Sequence, residues 1–248
     1  MHVIVLREQS GMPDDKEKII HYCYTFVLGD DRRETFELHL DRLTLALQPQ
    51  VREDPPDWTR LSYFMCPNCP LDAGLASHCP IAVNILDLVR FFKNVASYDR
   101  LQVEIATDER TYYKDTATSE AVSSLLGIFM VTSGCPVMDK LRPLVRFHLP
   151  LATTEETTFR AVAMYLVAQY FLMKQGKKPD WTLKGLHAIY EDVQTVNRSF
   201  TERLKGATHN DASTNAVVRL DAFASAVVMS IDLDRLDGLE TLFEAYFT

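Results

Sequence analysis

The spacing of apolar residues changes part-way along the chain, and this change restricts the fold more than any other feature. From Lys18 onward Ile20, Tyr22, Tyr24, Phe26 and Leu28 alternate with Ile19, His21, Cys23, Thr25 and Val27. Gly29-Asp30-Asp31 has turn chemistry, and Phe36, Leu38 and Leu40 then alternate with Thr35, Glu37, His39 and Asp41. A period of two on both sides of a turn predicts a β-hairpin with one apolar face. Leu101 to Ile105 and Thr111 to Lys114, separated by Thr107 to Arg110, predict a second hairpin. Beyond Thr118 the period becomes helical. Ala121, Val122, Leu125, Leu126 and Phe129 form one stripe, and Leu186, Ile189, Tyr190, Val193, Val196, Phe200 and Leu204 form another. Strands first and helices afterwards argue an α+β class, with N-terminal antiparallel β-hairpins, a cysteine-rich segment and a helical C-terminal half. The coarse division is an α+β region over 1–150 and a helical region over 151–248, or one continuous domain.

Smaller elements are also expected. His2 to Leu6 reads as a short strand and Gly11 to Asp15 as a turn. Leu71 to Ala76 reads as one helical turn and Pro80 to Lys93 as a helix, with Thr118 capping the next. The window Ala161 to Met173 holds 13 uncharged residues. A membrane span needs about 20, so this window reads as a buried helix.

The chemistry is concentrated in Cys66-Pro-Asn-Cys69-Pro-Leu-Asp-Ala-Gly-Leu-Ala-Ser-His78-Cys79-Pro80, with a further Cys135-Pro136 downstream. Four of the five cysteines stand directly before a proline. Proline suits the first position of a helix and pushes the residue before it out of the helical region. Cys79 and Cys135 are therefore expected at helix N-termini, where backbone N–H groups favour a thiolate and lower its pKa. Cys66 and Cys69, spaced Cys-x-x-Cys, offer two sulfurs to one ion. With Cys79 and Cys135 they make a four-thiolate set suited to zinc or an iron–sulfur cluster, with His78 as a possible substitute ligand. Zinc in a structural role is the leading expectation. The sequence analysis thus describes a cytoplasmic metal-binding module with a binding or regulatory role.

Two alternatives stay open. Cys66 and Cys69 could be a thiol-redox pair, although Pro70 follows directly and no parallel βαβ pattern surrounds them. An iron–sulfur or haem-based sensor is the other. The Cys-Pro ending resembles that of bacterial ferredoxin motifs, and the dipeptide resembles the short haem-regulatory motifs of haem-responsive proteins. Other candidates have plain structural readings: His187 and Glu191 as a surface pair four apart, His148 as a helix-end histidine, Asp232 and Asp234 as caps, and Cys23 as a small strand residue.

Composition narrows the partners. A net charge of −8 argues against a general nucleic-acid binder, which needs a basic face. No secretory leader is legible, because Arg7 and Glu8 interrupt the first apolar stretch. A reducing cytoplasm, no membrane span and an unidentified protein partner are the expectations. Gly-x-Gly-x-x-Gly, phosphate-loop, Gly-x-Ser-x-Gly and His-Glu-x-x-His motifs are missing, so no enzyme chemistry is legible by motif. As a whole the chain resembles small uncharacterised bacterial proteins rich in Cys-Pro motifs. That resemblance implies no activity and supplies no functional residue.

Overall fold

A computed structural model of the chain describes residues 18–29, 32–48, 54–207, 211–233 and 236–248. The strand and turn expected before Lys18, part of the first hairpin turn and Asp234 lie outside the described residues.

Four strands form the sheet: β1 (Ile19–Leu28), β2 (Arg33–Asp41), β3 (Arg100–Thr107) and β4 (Thr111–Ala117). Their order is β2-β1-β3-β4, and every pairing is antiparallel. The two expected hairpins therefore join edge to edge, with β1 against β3. The register sets Tyr24 between Phe36 and Ile105, and Phe26 beside Val103. Tyr24, Phe26, Leu38, Val103 and Ile105 are fully buried on this face. Each such side chain stabilises the fold by about 1.5–3 kcal/mol. The opposite face carries His21, Cys23, Thr35, Glu37 and His39.

The segment between β2 and β3 holds the first three Cys-Pro dipeptides. It contains a 3₁₀ turn (Asp57–Thr59), then α1 (Pro80–Asn84) and α2 (Leu86–Phe92). The single helix expected over 80–93 is thus divided at Ile85, whose φ and ψ are −96° and 8°. The break lets Ile81, Ala82, Ile85, Leu88, Val89 and Phe92 all reach the core. Within Leu71 to Ala76 one turn is closed by Ala76 N to Asp72 O at 2.8 Å and Leu75 N to Asp72 O at 3.0 Å.

Helix α3 (Thr118–Thr132) lies on the sheet, with Leu125, Leu126 and Met130 fully buried. Thr118 does not cap it. Ala117 holds the N-cap position, and the Thr118 hydroxyl donates to Asp99 O at 2.9 Å. Gly134, at φ +88°, terminates the helix in the left-handed conformation that favours glycine. The chain then makes a 3₁₀ turn (Met138–Leu141) and the short helix α4 (Pro143–Arg146), not the longer helix expected after Cys135.

The last third forms α5 (Thr154–Lys174), α6 (Lys184–Lys205), α7 (Ala212–Asp232), the short α8 (Asp237–Glu240) and a final 3₁₀ segment (Thr241–Tyr246). Thr153 and Glu156 make a capping box at the start of α5, Glu156 N to Thr153 Oγ1 being 3.2 Å and Thr153 N to Glu156 Oε2 2.8 Å. The expectation that α5 is buried is corrected. Only Ala161, Tyr165 and Gln169 of its apolar window are enclosed, because α5 packs through one side against α7 and α4. Val167, Tyr170, Phe171 and Met173 face outward. Helix α7 is long and apolar enough to cross a membrane by length and composition, and it packs against α6, α3 and α5. One apolar core runs from Ile20 to Val227 through both halves of the chain.

Candidate metal centre

The four Cys-Pro thiols lie on three separate segments of the chain. Cys66 and Cys69 lie in a tight turn closed by Cys69 N to Cys66 O at 3.0 Å. Between them, Asn68 Nδ2 donates to the backbone O of Asp192 (3.0 Å) and to its Oδ1 (3.2 Å), which docks the turn on α6. Cys79 is the N-cap residue of α1, and its N–H donates to Thr59 O at 2.8 Å. Cys135 directly follows Gly134 at the end of α3. The 3₁₀ turn beyond it places Lys140 Nζ 3.9 Å from Asp192 Oδ2. Asp192 therefore meets both the Cys66–Cys69 turn and the segment after Cys135.

The thiols lie near enough to act on one another. Ionisation of Cys66 is opposed by Cys79, Cys135 and Cys69, that of Cys79 by Cys69, and that of Cys135 by Cys79 and Cys69. Burial is the largest influence and pushes the Cys66 thiol up to about 11. It also raises Cys79 and Cys135. The amides of Ala82 and Ile81 favour the Cys79 thiolate, although no capping hydrogen bond to its side chain is formed. The amides of Met138 and Val137 do the same for Cys135. The lowered pKa expected at these positions is therefore corrected for Cys79 and Cys135. Backbone donors pull in the expected direction, but loss of water outweighs them.

Arg203, on α6, is the other half of this geometry. Its side chain is 1% exposed. Nη1 donates to Trp58 O and Arg60 O at 2.7 Å each, and Nη2 to Leu61 O and Phe64 O at 3.3 Å each. One guanidinium thus gathers the whole segment leading into Cys66. Phe64, two residues before Cys66, is held at φ +46°, a left-handed conformation that costs of order 1–3 kcal/mol for such a residue. Among the described residues Arg203 has no carboxylate within 4.0 Å. Burial lowers its pKa, while Cys79, Cys66 and Cys69 are among the groups that raise it.

The sulfurs do not close into a four-coordinate set. Among the described residues, the one trio of His, Cys, Asp or Glu side chains with all donor atoms within 4.8 Å of one another is His21, Glu37 and His39. No three of the cysteine sulfurs meet that distance, and His78 does not complete such a trio with them. His78 Nδ1 instead pairs with Thr59 Oγ1 at 2.7 Å. All five cysteines are free thiols.

The remaining candidates separate. His187 bridges two acids, with Nδ1 3.4 Å from Glu191 Oε2 and Nε2 3.0 Å from Asp232 Oδ1. Asp232 ends α7 and does not cap a helix start. His148 is not a charged helix-end residue. Its Nε2 pairs with Tyr24 Oη at 2.8 Å, and burial with the nearby Arg160 lowers its pKa to about 3. It lines an apolar cavity with Met138, Leu141, Tyr190, Asn197 and Arg219. Sequence reasoning missed Arg203, which sits beside Leu204 on the apolar stripe of α6. An arginine three residues after Phe200 on that stripe was the available signal.

The family model described as a domain of unknown function (DUF6901) matches residues 20–244. The chain belongs to that family. The match spans the sheet, all four Cys-Pro dipeptides and the helical half. It bears out the expected kinship with an uncharacterised family. No curated protein and no solved structure matches the chain.

Proposed function

We propose that Cys66, Cys69, Cys79 and Cys135 hold one metal centre, that this centre is an iron–sulfur cluster, and that the protein is a metal-dependent binding or regulatory module. The observation that carries the reading is Arg203, a buried cation with no carboxylate within 4.0 Å among the described residues, set near Cys66, Cys69 and Cys79. Burying an unpaired charge costs several kcal/mol, and the four backbone carbonyls around it supply dipoles but no charge. A cluster of metal-held thiolates supplies the missing charge. Metal binding also removes the protons that burial otherwise keeps on Cys66, Cys79 and Cys135.

Among the described residues no three of the cysteine sulfurs all lie within 4.8 Å of one another, which suits a cluster better than a single zinc. A single zinc with Zn–S of about 2.3 Å needs its sulfurs about 3.8 Å apart. A multi-iron cluster seats each thiolate on a different iron and accepts wider separations. Zinc is the second reading, supported by the four-thiolate donor set, and it requires the turns to close inward. The backbone amides facing Cys79 and Cys135 suit either, since such donors tune metal-bound sulfur. The thiol-redox alternative is disfavoured because a reactive thiol needs a depressed pKa, whereas that of Cys66 is raised. In this reading the centre staples the turn at Cys66 and the segment at Cys135 to α6, so its gain or loss remodels that surface for a partner.

The test is metal content of the four single Cys→Ser variants, purified without oxygen beside the parent chain. All four should lose the metal together. Full retention by Cys135→Ser or Cys79→Ser would break the four-thiol assignment. A variant found unfolded would be replaced by the corresponding Cys→Ala and by alkylation of the parent. The four thiols should resist iodoacetamide until chelator is added.

A further inference from the structure

The outer face of the sheet presents a second set of metal-ligating groups, unrelated to the cysteines. His21 on β1 is paired in register with His39 on β2. Glu37 stands two residues before His39 on the same strand and so projects from the same face. The imidazole rings are stacked, with centroids 4.8 Å apart and planes 22° from parallel. Glu37 Oε2 lies 3.6 Å from His39 Nε2. One donor atom from each of the three residues lies within 4.8 Å of the other two.

A second observation points to a ligand. Nε2 of His21 is shut off from solvent and has no hydrogen-bond partner. Enclosed ring nitrogens are normally paired, and an orphaned one calls for an explanation such as an ion. The other imidazole, His39, and the Glu37 carboxylate each bring a donor atom to the same ring.

We infer that His21, His39 and Glu37 form a separate binding site for a divalent transition-metal ion of the zinc type. Two imidazole nitrogens and one carboxylate oxygen are the donor set of zinc sites that keep a position open for water or substrate. Magnesium and calcium prefer all-oxygen ligands, which this set does not offer. Zinc at about 2.0–2.1 Å from each donor needs them roughly 3.3 Å apart, a side-chain adjustment from the present spacing. Paired strands fix the backbone beneath, which is the kind of support a precise site needs. Cys23 stands opposite Glu37 in the register and lies outside the trio. It serves as an internal control.

The experiment is titration of zinc into the full chain, followed by calorimetry and by the histidine ring resonances. The parent chain should bind one more zinc than His39→Asn, and His21→Asn should lose that same equivalent. Glu37→Gln should weaken it by at least the roughly 10–100-fold typical of supporting residues. Cys23→Ser should leave it unchanged. In the parent chain the His21 and His39 resonances should move together within the first equivalents added. This second readout needs no variant to fold. Equal zinc stoichiometry in parent and His39→Asn, or His21 and His39 resonances that stay still, would overturn the site. Because the comparison counts an equivalent lost on the sheet, it stands whatever the cysteines hold.

Discussion

The thiol set between α1, α3 and α6 and the imidazole pair on the sheet solve the same problem in opposite ways. The thiols come from loops and short turns, are buried at Cys79 and Cys135 and half-buried at Cys66 and Cys69, and the turn at Cys66 is tied down by Arg203 and Asp192 from a helix more than a hundred residues away in sequence. The imidazoles come from two adjacent strands, and their register alone brings them together. In the proposed reading the thiol set makes metal binding part of folding, because thiolates are costly to bury without an ion. The sheet set makes it optional, because the strands are held by Tyr24, Phe26 and Leu38 on their other face.

The sharpest way to break this contrast is at Arg203. Arg203→Met should destabilise the chain by about 3–5 kcal/mol in urea unfolding, since it strands four carbonyls and removes a buried charge near the thiols. It should also empty the cysteine centre while leaving zinc binding at His39 intact. A mild effect would mean that the guanidinium is incidental to the site.

Next in size is loss of the metal itself. Removing it with chelator should lower Tm of the parent chain by several degrees, each kcal/mol being worth about 2–4 °C at this size. Chelator should leave Tm of Cys135→Ser unchanged. The same treatment acting through the sheet site should move Tm far less.

A third test contrasts the sheet histidines with His148, whose ring is enclosed against Tyr24. The unfolded imidazole takes a proton near 6.5, whereas the native one resists until about 3. Between those values the unfolded chain binds more protons, so stability should fall as pH drops from 6.5, by at most about 1.4 kcal/mol per unit. Above 6.5 this contribution is fully present. His148→Gln should flatten that part of the pH profile measured by urea midpoint.

The smallest effect is expected at Lys140→Ala. Its contact with Asp192 is exposed and 3.9 Å long. Such pairs contribute about 0–1 kcal/mol, so metal content should not change.

Much of the architecture was legible because period two and period 3.6 are properties of local sequence. Both hairpins, α3 and α6 were readable in that way. The joining of β1 to β3, the break at Ile85 and the one-sided packing of α5 depend on what lies across the core. The capping box at Thr153 and Glu156 was present in the sequence and passed over. In the candidate site, the four cysteines were legible from their Cys-Pro signature. Arg203 and the carbonyls it gathers were not, because an arginine on a helix stripe is usually at the surface. The His21–His39 pairing becomes visible only when the strand register is known.

The most direct test of the central claim is iron and acid-labile sulfide content, with a visible spectrum, on the full chain purified without oxygen. The account expects iron and sulfide in matching amounts and a broad visible absorbance lost in Cys66→Ser. Colourless protein whose one zinc per chain is lost in Cys66→Ser and kept in His39→Asn would contradict the cluster and leave the single-ion reading. Metal-free protein with freely alkylated Cys66, Cys79 and Cys135 would contradict the metal centre altogether.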